Sequence, residues 1–165
     1  MALILAAIVT LGVLSPAGAA SATTAVTPSA VTATQSVWQS VNISRARVGL
    51  PPLAWSLGLQ RSARYHNLKM AQSNVLSHQL SGEQSLGTRI SSQGVRWNWA
   101  AENIGWSSTL TRLGALSIEW AMVNEKAPND GHRRNILSPT ARHVGIDVIF
   151  DTVHHKVWLT EDFSN

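Results

Sequence analysis

The chain contains no cysteine, and that absence limits what can hold it together. No disulfide can staple a loop-rich scaffold, so the fold must rest on buried apolar surface. Thiol nucleophiles and thiolate metal sites are excluded by the same fact. The apolar residues fall into three helical stripes and two alternating runs. Val37, Val41, Ser44 and Val48 share one helical face before Gly49 and Pro51-Pro52. Leu59, Ala63, His66 and Met70 form a second stripe. Leu113, Leu116, Trp120 and Val123 form a third, capped by Ser108 or Thr109, which predicts Trp120 in the core and Glu119 on the solvent side. "SLGTRISSQG" reads as a short helix ended by Gly94, and "AAENIGWSS" as a strand. Near the end, "HVGIDVIFD" and "KVWLTEDF" alternate with period two around Val153-His154-His155, the pattern of an antiparallel hairpin. Long helices around few strands predict an α+β layered domain with its sheet covered by helices.

The charge distribution sets the domain limits. No Asp, Glu, Lys or Arg precedes Arg45. The opening apolar run is too short to span a bilayer, which takes roughly 20 residues. It fits the apolar region of an export signal, with Ala17-Gly18-Ala19 as an A-x-A cleavage pattern, although its start carries no Lys or Arg. A signal peptide is therefore expected over 1–20, a flexible Ala/Thr/Ser linker over 21–34 and one domain over 35–165. The mature chain is expected to be secreted, with no transmembrane span. Net charge is +4, but the arginines are scattered and no nucleic-acid motif occurs, so no nucleic-acid partner is expected.

Four residues stand out as candidates for chemistry. His78 follows the second stripe, outside any periodic pattern. Glu102 is flanked by apolar residues, where an unpaired acid would be costly to bury. Glu125 and His132 lie around the turn Asn129-Asp130-Gly131. Two histidines and two carboxylates can bind a divalent ion such as zinc, or polarise a water with one acid as base. Taken singly, each reads as a cap, a surface charge or an ion-pair partner. There is no HExxH, no GxSxG and no phosphate-binding loop. His66 lies in an apolar stripe and reads as a hydrogen-bonded core histidine. His154 and His155 are neighbours on a hairpin and point to opposite faces, which argues against a shared ligand. Trp97, Trp99 and Trp106 surround Glu102 in sequence and could wall a groove.

The segments also come in a telling order. Asn42-x-x-Arg45 with "GLPPLAW", "LQRSARYHNLKMAQ" leading to "LSH", "AENIG", Trp120 followed by "GHRRNIL", and "VGIDV…VWLTEDF" together resemble the CAP superfamily. This superfamily comprises cysteine-rich secretory proteins, antigen 5 and pathogenesis-related proteins. The match is with its bacterial, cysteine-free, SCP-like extracellular branch and covers nearly all of 36–165. The resemblance implies a three-layer α-β-α sandwich with a central, mainly antiparallel sheet. It implies a cleft where His78, Glu102 and His132 meet, with Glu125 as the second acid and Glu119 as the other candidate. It further implies zinc or another divalent cation at His78 and His132, and an extracellular ligand such as a lipid, a peptide or a cell-wall polymer. The expected function is a secreted binding or signalling module. The alternatives are an extracellular hydrolase using a histidine- or metal-activated water, and a buried polar network that specifies the fold and binds nothing. No nucleophile is identifiable, so an enzymatic role is not the first expectation.

Overall fold

The computed structural model describes residues 28–165; the expected signal over 1–20 and the linker residues 21–27 lie outside the described residues. The elements follow in the order α1 (Pro28–Arg47), β1 (Ala54–Trp55), α2 (Leu57–Ser73), α3 (Leu86–Ser92), β2 (Ala100–Ser107), α4 (Arg112–Val123), α5 (Gly131–Ile136), β3 (His143–Asp151) and β4 (Lys156–Ser164). Among these residues no helix is long and apolar enough to cross a membrane.

Residues 28–34, expected as linker, are the first turns of α1. Pro28 occupies the first helical position, where its missing N–H costs no bond. Ala30, Ala33 and Thr34 are buried, and with Val37 and Val41 they extend the helical stripe upstream. Small residues hide that stripe, because their composition matches a linker while their spacing matches a helix.

The sheet has the order β1-β3-β4-β2, with β1 parallel to β3 and the other pairs antiparallel. Strand alternation sends Val144, Ile146, Val148, Val157, Leu159 and Phe163 to one face, where they meet α1 and α4 in the main core. The opposite face carries Ile149, Trp158 and Ile104 against Met70 and Ala71 of α2. Helices therefore cover the sheet on both sides, giving the three-layer sandwich. The close approach of α2 depends on Gly145, where an added Cβ would overlap the backbone of Leu59 and Gln60.

The face of α4 differs from expectation. Its buried residues are Gly114, Ala115, Ile118, Glu119 and Met122. Trp120 is 67% exposed and Leu113 66%, whereas Glu119 is 1% exposed. The physical reason lies in the opposing strand: a Cβ at Gly105 would meet Ile118 Cγ2 at 2.5 Å and the Met122 Cε at 3.1 Å. Ile118 and Met122 fill the space that the glycine leaves, and this rotates the larger Trp120 outward.

Two side chains of α1 tie the helix to loops. Asn42 Nδ2 donates to Leu53 O and its Oδ1 accepts from the Leu53 N–H. Arg45 is fully buried and donates to Pro51 O, Ile136 O and Ser138 O. It thereby holds the last carbonyl of α5 and the chain just beyond it.

Candidate functional site

Glu102 lies on β2 with its side chain on the α2 face and is buried. Its Oε1 is 2.9 Å from His78 Nδ1, and its Oε2 accepts from Arg89 Nη2 of α3. Burial alone would raise the Glu102 carboxyl; the His78 hydrogen bond and the Arg89 charge outweigh it and hold the group below the ordinary carboxylate value. His78 follows the left-handed cap Asn74 that ends α2, and its side chain is 58% exposed. One imidazole is thus fixed from behind and open in front.

Behind Glu102 lies a buried ionic layer. His66 Nδ1 is 2.8 Å from Glu83 Oε1, and His66 Nε2 is 3.8 Å from Glu102 Oε1. Arg89 also reaches Glu83 at 3.5 Å and Asp162 at 4.0 Å. His66 is thus the hydrogen-bonded core histidine its stripe predicts, and it adjoins the candidate site. Neither Glu83 nor Arg89 stands out in the sequence, since one lies in a loop and the other in a seven-residue helix.

The second pair forms at the start of α5, where Asp130 occupies the N-cap position. His132 Nδ1 is 2.5 Å from Glu125 Oε1, and Glu125 Oε2 accepts from the His132 N–H at 2.9 Å and the Arg133 N–H at 3.3 Å. Burial pushes the Glu125 carboxyl up, but these hydrogen bonds prevail and lower it. Of the two candidate acids, Glu125 is the one that touches His132. Glu119 instead accepts from Ser40 Oγ at 2.6 Å, in the interface between α1 and α4. There burial raises its carboxyl against the pull of Ser40 and Arg47.

β2 joins the two pairs. Asn135 Nδ2 of α5 donates to Glu102 O at 3.4 Å and to Asn103 Oδ1 at 2.9 Å. Asn103 Nδ2 donates to His132 O at 3.3 Å and to Glu161 Oε2 at 3.0 Å. Consecutive residues of one strand therefore anchor the histidines, Glu102 on one face and Asn103 on the other. Among the described residues, no group of three or more His, Asp or Glu side chains is placed to hold a metal ion. The four candidates meet as two pairs.

The tryptophans near Glu102 do not form one wall. Trp97 donates to Ser91 Oγ and packs over Gly87. Trp99 rests against the main core. Trp106 lies under the Lys156 ammonium, 4.4 Å from its ring centre. His154 pairs with Asp151 at 2.7 Å, and His155 adopts a left-handed backbone with φ 53°.

Residues 38–163 match the model of the CAP, cysteine-rich secretory protein family. The uncharacterized protein YkwD of Bacillus subtilis is 31% identical over 128 residues, covering 77% of this chain and 47% of that protein. An extracellular protein containing an SCP domain from Bacillus anthracis superposes with a TM-score of 0.69 at 26% identity, over 82% of this chain and 41% of the other. An outer surface protein of Borrelia burgdorferi shares the fold at 14% identity and a TM-score of 0.69, over 81% of this chain and 92% of the other. The chain thus spans less than half the length of either Bacillus relative.

Proposed function

The chain belongs to the CAP, cysteine-rich secretory protein family, and on that premise we propose that it is an extracellular binding domain. Its ligand is engaged by the Nε2 atoms of His78 and His132. One observation carries this reading: each imidazole is held at Nδ1 by a carboxylate, and neither Nε2 has a hydrogen-bond partner among the described residues. Secretion is supported by the apolar leader and by the extracellular Bacillus anthracis relative.

A divalent cation such as zinc is the first ligand to test. A carboxylate behind a histidine orients the ring and raises its basicity, the second-shell arrangement of metal-binding histidines. The donor set stops at imidazole nitrogens, and among the described residues no group of three or more His, Asp or Glu side chains is placed to hold the ion. A cation here keeps water in its remaining positions, so it binds as an exchangeable ligand and not as a closed structural site. Bound there, it would supply Lewis acidity to a further ligand. The hydrolase alternative draws less support. No serine or threonine hydroxyl bonds either Nε2 among the described residues, and both acids are held below their usual range, which makes them weak bases.

Calorimetric titration with zinc tests the proposal. The chain purified without a histidine tag should bind, and His78→Ala and His132→Ala should each weaken that binding at least about tenfold. Equal affinity in the wild type and both variants would remove the histidines from the ligand site.

A further inference from the structure

We propose that Asn135 is a positioning residue: its carboxamide clasps α5 to β2, and the two histidine–carboxylate pairs work as one site only while that clasp is closed. This rests on the binding role above and adds what sets the placement of one imidazole relative to the other. Each pair has its own support. Arg89 of α3 and His66 of α2 back the His78–Glu102 pair. The His132–Glu125 pair joins the start of α5 to the segment just after α4. Among the described residues, no hydrogen bond or ion pair runs directly between the side chains of one pair and those of the other.

Every hydrogen bond between α5 and β2 among the described residues passes through one of two asparagines, which work in opposite directions. Asn135 Nδ2 of α5 donates to Glu102 O at 3.4 Å and to Asn103 Oδ1 at 2.9 Å. Asn103 Nδ2 of β2 donates back to His132 O at 3.3 Å. Two carboxamides thus connect the main chain of Glu102, whose side chain holds His78, to the main chain of His132. The helix needs this connection, because one of six residues cannot hold its own place. Ile136 in the main core and Arg45 on Ile136 O both grip its last residue. Glu125 grips the His132 and Arg133 N–H groups, but from the segment that leads into the same helix. The clasp therefore sets how far α5 is turned about its axis. Asn135 lies one turn beyond His132 on the same side of the helix, so that rotation decides where His132 Nε2 faces. The chemistry fits asparagine, since one NH2 group gives hydrogens to two acceptors and a carboxylate has none to give. Asn135 is half-buried and Asn103 fully buried, so Asn135 is the partner whose replacement disturbs the sheet least.

Calorimetric titration with zinc tests this in Asn135→Ala and in Asn135→Leu, which keeps the branching of the side chain and removes the donor. Each variant should bind zinc at least about tenfold more weakly, the low end of what outer-shell partners of metal sites contribute. Adding His132→Ala to Asn135→Leu should then cost little more, because the imidazole has already lost its place. A merely structural role would lower stability and leave the His132→Ala loss at its full size. The metal-free protein gives a second readout. The imidazole NMR signals of His132 should shift in Asn135→Leu, while those of His78, held by Glu102, should not. Unchanged zinc affinity in both Asn135 variants, or additive losses with His132→Ala, overturns the clasp and leaves the binding role standing. A wild-type chain that binds no zinc removes the metal reading alone. The clasp then falls if the His132 signals stay in place in Asn135→Leu, or if those of both histidines move together. In the unaltered chain, the Asn135 carboxamide hydrogens should exchange with solvent more slowly than those of the exposed Asn98. Equal rates there would overturn the clasp whether or not the variants fold.

Discussion

Glu102 and Asp162 lie directly opposite each other on β2 and β4, buried on one face of the sheet, and the Arg89 guanidinium reaches both. The pair divides its charge unequally. Glu102 is held ionised by His78 and Arg89, whereas burial, and then the Glu102 charge, push the Asp162 carboxyl well above its usual value. Asp162 therefore binds its proton more tightly in the folded chain, and its contribution to stability declines as pH rises above the unfolded value near 3.8. Glu102 has the opposite sign, losing its contribution as pH falls below about 4.5. Asp162→Asn should raise stability at pH 7 by roughly 1–3 kcal/mol and leave it unchanged at pH 3. Glu102→Gln should lower it by about 3 kcal/mol at pH 7, since it removes the closest ionised partner of Arg89. Urea denaturation at the two pH values measures both.

Glu161 and Glu119 form a second buried acidic pair, on the other face. Burial and the Glu119 charge raise the Glu161 carboxyl to about 8. The folded chain takes up a proton there between about pH 4.5 and 8, so stability falls as pH rises through that window. Each unit of pH can remove up to about 1.4 kcal/mol. Glu161→Gln keeps an oxygen to accept from Asn103 and removes the charge. Its melting temperature should match the wild type near pH 4.5 and exceed it by several degrees at pH 8. Calorimetry across the window checks this, and parallel curves would show that Glu161 does not titrate there.

The histidines should separate into a structural one and a ligand-facing pair. His66 is fully buried and holds Glu83, so His66→Ala leaves a buried carboxylate with only the Arg89 guanidinium at 3.5 Å and the Leu80 N–H at 3.3 Å. The expected loss is about 3 kcal/mol. His78 has 58% of its side chain exposed, and His78→Ala should change stability by less than about 1 kcal/mol. Chemical denaturation ranks them. A loss at His78 as large as at His66 would make the exposed imidazole part of the fold's own network.

Legibility in the sequence follows the range of the interaction. The closing hairpin is readable because alternation is local, and so is the α2 stripe that contains His66. The buried charges on β4 are not readable in this way. Thr160, Glu161 and Asp162 are all fully buried, because helices cover both faces of the strand. The pairing of His78 with Glu102 depends on contacts across 24 residues, and without the family resemblance neither would be joined to the other. Reading α4 by hydropathy alone puts Trp120 inside and Glu119 outside; the structure reverses both, because Gly105 on the neighbouring strand selects Ile118 and Met122 for the core. Trp120→Ser should accordingly cost less than about 1 kcal/mol by denaturation, far below the 3–5 kcal/mol of a buried aromatic.

Arg45 connects the far end of α1 to the helix that carries His132. Its guanidinium is buried, with Nη1 serving Ile136 O and Ser138 O at 2.8 and 2.9 Å while Nε serves Pro51 O at 2.9 Å. A lysine has one charged nitrogen on a flexible stem and cannot span the three carbonyls in that geometry. Arg45→Lys should therefore destabilise the chain by about 2 kcal/mol. The loss should be local first, with faster hydrogen exchange in α5 than in the sheet. If the α5 backbone loosens, His132 and Glu125 lose their common frame while His78 and Glu102 keep theirs. Zinc affinity should then fall in Arg45→Lys even at temperatures where the fold is intact, and adding His132→Ala should weaken it little further. Additive losses in the double variant would mean that Arg45 acts on global stability without positioning His132.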